Sequence, residues 1–183
     1  MRAFIAVDLE DDEIRKKLEE VQRVLKRTGA IMKLVEPRNF HITLKFLGEI
    51  DERIVPDIQR TLREAIKENP FEITLRGLGA FPHPSRPRVV FVHVDSDVMP
   101  RLMETVDKAV HKLGFELERR AYVPHMTIAR VKARGYLLEE VIERFEERVF
   151  GRMIVREIRL KRSKLTPQGP IYSTIFSIPL SGE

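Results

Sequence analysis

The chain has 183 residues, no cysteine, 43% hydrophobic and 33% charged residues, and a formal net charge of +5. That length carries a full hydrophobic core, and the apolar-to-charged balance is that of a globular chain, not a disordered one. Without cysteine there is no disulfide frame, thiolate nucleophile or zinc-thiolate site. No stretch reaches the roughly 20 apolar residues of a membrane span and the apolar start at Met1–Asp8 is too short for a signal peptide, so a cytoplasmic protein is expected, its excess of Lys and Arg fitting either an anionic partner or a solvated surface.

Arg2–Leu9 reads as a strand. Asp11 or Asp12 caps a helix with Ile14, Leu18, Val21 and Leu25 on one face, and Gly29 ends it. Ile31–Val35 is a short strand, Glu36–Asn39 a turn, and Phe40–Leu47 a strand closed by Gly48. A second helix spans Asp51–Glu68 with Ile54, Ile58, Leu62 and Ile66 inward and Pro56 in its first turn. Phe71–Phe81 is a strand interrupted by Gly77 and Gly79, Pro82–Pro87 a loop, and Arg88–Val94 a strand. Ser96 or Asp97 caps a third helix whose inner stripe is Val98, Leu102, Val106, Val110 and Leu113. A short strand is predicted at Phe115–Glu118, another at Met126–Val131, and a short helix at Leu137–Glu147. Two late strands follow, Met153–Leu165 and Tyr172–Leu180, split by a Thr166–Pro170 turn.

Paired strands interspersed with helices give the α+β class with antiparallel sheet. The sequence of helix then motif strand occurs twice, which predicts two pseudo-symmetric lobes within a single bilobal domain over 1–183; no linker rich in Ser, Gly or Pro divides them.

The motif is His-x-Thr followed by an aliphatic residue. It stands at His41-Ile42-Thr43-Leu44 and again at His125-Met126-Thr127-Ile128, 84 residues on (125 − 41). On a strand, residues i and i+2 share a face. His41 and Thr43 therefore project together, with Ile42, Leu44 and Phe46 opposite; His125 and Thr127 project together, with Met126 and Ile128 opposite. His83, His93 and His111 are not followed by x-Thr and read as structural or surface residues.

Two imidazoles and two hydroxyls suit phosphodiester chemistry. In-line displacement at phosphorus needs a base on the nucleophile side, an acid on the leaving-group side and donors for the non-bridging oxygens. Histidine serves both proton roles, and Thr43 and Thr127 can donate to phosphoryl oxygens. The set does not make a tetrahedral zinc site, and no Walker A, His-Glu-x-x-His or glycine-rich dinucleotide motif is present.

Four segments in order, Arg2–Val7, His41–Gly48, Pro124–Arg130 and Leu165–Tyr172, resemble the 2H phosphoesterase superfamily, and within it the RNA 2′,3′-cyclic phosphodiesterases, also called 2′-5′ RNA ligases. The resemblance implies two lobes of antiparallel sheet, with outer helices, flanking a central cleft. It implies hydrolysis of a terminal 2′,3′-cyclic phosphate of RNA to a 2′-phosphate, with 2′-5′ ligation as the same chemistry using a 5′-hydroxyl. Neither metal nor cofactor is implied. The partner expected is RNA with such an end, tRNA halves being one candidate, for a monomeric enzyme.

His41 is assigned as proton donor and His125 as proton acceptor, an order that pseudo-symmetry leaves open. Arg130 is a candidate phosphate clamp. Strict alternation puts it on the wrong face, so it needs a bulge or a strand end to reach the site. Lys45, on the face of His41 and Thr43, is a second candidate phosphate contact, and Tyr172 with Phe4 could stack on a base. Lys132, Arg134, Lys161, Arg162 and Lys164 could form a basic rim. Competing functions are a phosphodiesterase for 2′-5′ linked oligonucleotides or small cyclic nucleotides, and a non-catalytic RNA-binding module.

Overall fold

Asp11 caps the first helix as expected: its carboxylate accepts the Ile14 amide at 2.9 Å. The computed structural model describes residues 1–181. Its elements are β1 (Arg2–Asp8), α1 (Asp12–Lys26), β2 (Ile31–Leu34), β3 (His41–Glu49), α2 (Val55–Ala65), β4 (Phe71–His83), β5 (Arg86–Asp95), α3 (Met99–His111), β6 (His125–Ala133), α4 (Leu138–Arg144), β7 (Val149–Val155), β8 (Glu157–Thr166) and β9 (Gly169–Pro179).

The strands form one antiparallel sheet in the order β7-β4-β5-β6-β3-β1-β8-β9, with β2 paired to β6. It has two halves, β7-β4-β5-β6 and β3-β1-β8-β9, each holding one motif strand. The halves are joined at a single register pair, Ile42 opposite Met126. These are the middle residues of the two motifs, so a pseudo-two-fold axis runs through that pair. Beyond it β3 and β6 share no further register pair among the described residues, and β2 pairs with β6 from Ala129 to Ala133.

Helices cover the outer faces, with Ile14, Leu18 and Leu25 of α1 and Ile58 and Leu62 of α2 buried as the spacing predicts. Each helix that precedes a motif packs on the opposite lobe. Helix α1 lies on β6 and β7 and against α4, while α3 lies on β3 and α2. Buried Gln22 of α1 fixes one crossing, donating to the carbonyls of Val35 at 2.7 Å and Ile128 at 2.9 Å.

Three expectations are corrected. Phe115–Glu118 is not a strand. Its backbone groups go to side chains: the Glu116 carbonyl to the Lys45 ammonium at 2.6 Å and the Glu118 amide to the Asp107 carboxylate at 3.1 Å. Met153–Leu165 is two strands, not one. Val155 ends the ladder on β4 and Glu157 begins the ladder on β9, so the chain changes lobes at Arg156. The 82–87 loop is mostly strand, with His83 paired to Arg86 in a tight hairpin.

Candidate active site

The two histidines are set by the same local device. The Nδ1–H of His41 donates to the Asn39 carbonyl at 2.7 Å, and the Nδ1–H of His125 donates to the Val123 carbonyl at 2.8 Å. Each acceptor lies two residues before its histidine. Since a carbonyl only accepts, the proton of each neutral ring is held on Nδ1, and Nε2 is left for proton transfer. Thr43 donates its hydroxyl to His41 Nε2 at 3.1 Å.

The Ile42–Met126 register places His41 opposite Thr127 and His125 opposite Thr43. The two histidines therefore sit diagonally across that pair. Both motif pairs are partly buried on the cleft face, while Ile42 and Met126 are fully buried on the other.

Each motif strand then bulges at the same place. On β3, Ala6 pairs with Thr43 and Ile5 with Lys45, leaving Leu44 as an extra residue. On β6, Phe91 pairs with Thr127 and Val90 with Ala129, leaving Ile128 extra. After the bulge the faces exchange. Lys45 turns into the core, 5% exposed, and Phe46 turns out, 65% exposed. On β6, Ala129 is buried and Arg130 is exposed.

Two expectations thus change. Lys45 is no phosphate contact: its ammonium is bound by Asp107 at 2.8 Å, the Glu116 carbonyl at 2.6 Å and Glu118 at 3.1 Å. Phe46 lies on the cleft face instead of with Ile42 and Leu44. The bulge brings Arg130 round to the cleft, and its charge acts on both His41 and Tyr172.

Aromatic rings wall both imidazoles. Tyr172 and Phe4 stand 5.4 and 5.0 Å from the His41 ring, and Phe4 touches Tyr172 at 5.0 Å and Phe46 at 6.1 Å. Phe4 is only 3% exposed, so it backs the site instead of stacking on a ligand. Phe81 and Phe91, stacked at 4.5 Å, each stand 5.2 Å from the His125 ring. No periodicity in the sequence marks this second wall. His93 is the register partner of His125, and its ring lies edge-on to Phe91 at 5.0 Å.

Charge beneath His41 is organised. Asp8, its register partner on β1, receives Arg159 and Lys161, each at 2.8 Å, and Lys161 also donates to Thr174 at 3.1 Å. Lys161 is therefore part of the cleft floor, not of a solvated rim. Burial holds the His41 imidazole below its ordinary value, assisted by Lys161 and Arg130 and opposed by the Asn39 carbonyl and Asp8.

Residues 10–165 match the family model described as 2′-5′ RNA ligase superfamily. An RNA 2′,3′-cyclic phosphodiesterase of Archaeoglobus fulgidus is 40% identical over 96% of this chain and 98% of its own length. One of Methanothermobacter thermautotrophicus is 42% identical over 94% and 95%. The crystal structure of TT0787 of Thermus thermophilus superposes with a TM-score of 0.85 at 34% identity over the whole of both chains.

Proposed function

The chain belongs to the 2′-5′ RNA ligase superfamily, and we propose from this premise that it hydrolyses a 2′,3′-cyclic phosphate at an RNA end to a 2′-phosphate. The observation that carries the reading is the pair of imidazoles with identical tautomer locks, diagonal across one register pair. The name carried by relatives about 40% identical over nearly their full length agrees with it.

In this reading the two imidazoles divide the proton transfers. His125 takes a proton from water through Nε2 as the water oxygen attacks phosphorus. The P–O3′ bond breaks on the far side, and His41 gives its Nε2 proton to the departing O3′. The products are a 2′-phosphate and a 3′-hydroxyl. The acceptor ends protonated and the donor neutral, and exchange with solvent resets both. Thr43, Thr127 and Arg130 meet the non-bridging oxygens as negative charge builds on them, and Tyr172 lines the His41 side of the nucleotide. A 5′-hydroxyl in place of water would give a 2′-5′ linkage by the same steps. The proposal extends to a monomer acting in the cytoplasm, with tRNA halves as candidate ends.

The test is a short RNA ending in a 2′,3′-cyclic phosphate, incubated with the protein in excess EDTA, beside His41→Ala and His125→Ala. Conversion to a 2′-phosphate that each substitution lowers by about 10²-fold or more is expected. Unchanged RNA with the parent protein would overturn the assignment in favour of 2′-5′ linked or small cyclic substrates.

A further inference from the structure

The bulge on β3 leaves Phe46 on the cleft face with most of its surface open, 65% exposed. Its ring neighbour is Phe4, at 6.1 Å. A groove of about 650 Å³ lies beside it, between the end of β3 and the 114–120 segment, lined also by Leu117, Arg119 and Arg120. An exposed aromatic ring and two arginines lining one groove are the side chains that hold single-stranded nucleic acid: a base stacks on the ring and the cations take the backbone.

The charges around the groove favour an anion. Among the described residues neither Arg119 nor Arg120 has an ion-pair partner, whereas two of the three lining acids are engaged. Glu49 is taken by the Met1 ammonium at 3.1 Å and Glu118 by Lys45 at 3.1 Å, which leaves Glu116. The segment that carries the arginines is anchored. Lys45 binds the Glu116 carbonyl and Glu118, and Asp107 accepts from the Glu118 amide and the Tyr122 hydroxyl. Arg119 and Arg120 are thus held by a built loop.

Position decides which nucleotide is met. Phe4 and Tyr172 touch the His41 ring, and Phe81 and Phe91 touch the His125 ring, so those four surround the reacting nucleotide. Phe46 reaches His41 only through Phe4, one ring further along β3. A 2′,3′-cyclic phosphate ends its chain, so the only continuing strand runs 5′.

We propose that Phe46, with Arg119 and Arg120, forms a subsite for the nucleotide on the 5′ side of the one bearing the cyclic phosphate. The base stacks on Phe46 and the internucleotide phosphate meets the arginines. This rests on the function proposed above and gives it a direction: RNA leaves the cleft over the β3 lobe. The substrate class is single-stranded RNA of at least two nucleotides.

The experiment compares kcat/KM for adenylyl-adenosine 2′,3′-cyclic phosphate with that for adenosine 2′,3′-cyclic phosphate, in the parent, Phe46→Ala, Phe46→Tyr and Arg119→Gln/Arg120→Gln. The parent is expected to prefer the dinucleotide. Phe46→Ala should cut that preference about fivefold or more, the low end for one lost stack, and Phe46→Tyr should retain it. The double arginine variant should cut it too and flatten the salt dependence of dinucleotide turnover. A parent without preference, or a preference unchanged in Phe46→Ala, overturns the subsite while leaving the cyclic phosphodiesterase intact. Turnover of neither substrate by the parent overturns the function itself.

Discussion

Arg130 occupies on β6 the position that Phe46 occupies on β3, three residues after the motif threonine and just beyond an equivalent bulge. The two lobes present the same backbone and different chemistry: a guanidinium reaches into the cleft from one and a phenyl ring from the other. Under the function and subsite proposed above, this pair makes a pseudo-symmetric site directional, with an anion taken on one side and a base on the other.

Arg130→Ala is accordingly expected to lower kcat/KM for a cyclic-phosphate RNA by about 10²–10³-fold, the usual loss for one donor to a developing oxyanion. Arg130→Lys should recover only part, because an ammonium cannot offer the paired geometry of a guanidinium. Removing this cation also lifts one cause of the lowered His41 value, so the limb of the pH profile that belongs to His41 should move upward. Steady-state kinetics across pH on both variants checks the two statements together.

The protonation of His41 bears on its role. Burial, with Lys161 and Arg130, keeps the free imidazole neutral to lower pH than usual. A bound phosphodiester carries negative charge that offsets both cations and favours the imidazolium. His41 should therefore be the donor chiefly in the complex, and the limb seen in kcat should lie at higher pH than that in kcat/KM. The residual activity of His125→Ala should fall as pH rises, since only the donor is left. A residual rate that rises with pH would exchange the two roles.

The chemistry is more legible in the sequence than its surroundings. Two His-x-Thr motifs at strand spacing are enough to expect the imidazoles and hydroxyls on one face, because strand alternation is local. The same rule misplaces Lys45: one extra residue in a strand exchanges every face after it, and nothing in Leu44-Lys45-Phe46 announces a bulge. Arg130 requires such a bulge, and it is present. The ring wall of Phe81 and Phe91 comes from cross-strand pairing that periodicity does not contain. The crossing of α1 and α3 to opposite lobes is likewise a matter of topology, carried by long-range contacts such as Gln22 to Ile128.

Gly79 gives the His125 wall its room. A Cβ there would lie 2.7 Å from Phe91 Cζ and 2.7 Å from His93 Nε2. Phe91 is 3% exposed and stacked on Phe81, so its ring cannot yield without disturbing the contact with His125. Gly79→Ala should cost about 1–3 kcal/mol by overpacking. It should also lower kcat by about tenfold to a hundredfold through misplacement of the imidazole. Thermal unfolding and turnover of the same preparation separate the two effects.

The Lys45–Asp107 pair ties the first motif strand to the segment that leads into the second. Both partners are almost wholly buried, at 5% and 2% exposed. Burial pushes the Asp107 carboxyl up, but Lys45, Tyr122 and the Glu118 amide together hold it below the usual carboxylate range. Burial pushes the Lys45 ammonium down, but Asp107 and Glu118 hold it above its ordinary value. A depressed carboxyl contributes stability above its unfolded value, near 3.8, that is lost as pH falls past it. A raised ammonium contributes stability below its unfolded value, near 10.5, that is lost as pH rises past it. The pair should therefore stabilise most between about pH 4 and pH 10. Lys45→Met leaves Asp107 buried without its cation and should cost about 3–5 kcal/mol near neutrality. The gap in melting temperature between parent and variant should narrow as pH falls below about 4. Lys45→Met/Asp107→Leu should recover part of the loss, because the uncompensated charge is gone. Since Val123, whose carbonyl orients His125, directly follows Tyr122 in the anchored segment, kcat of Lys45→Met should fall even where the protein is fully folded. A variant that melts early yet turns over at the parental rate would show that the pair stabilises the segment without positioning His125.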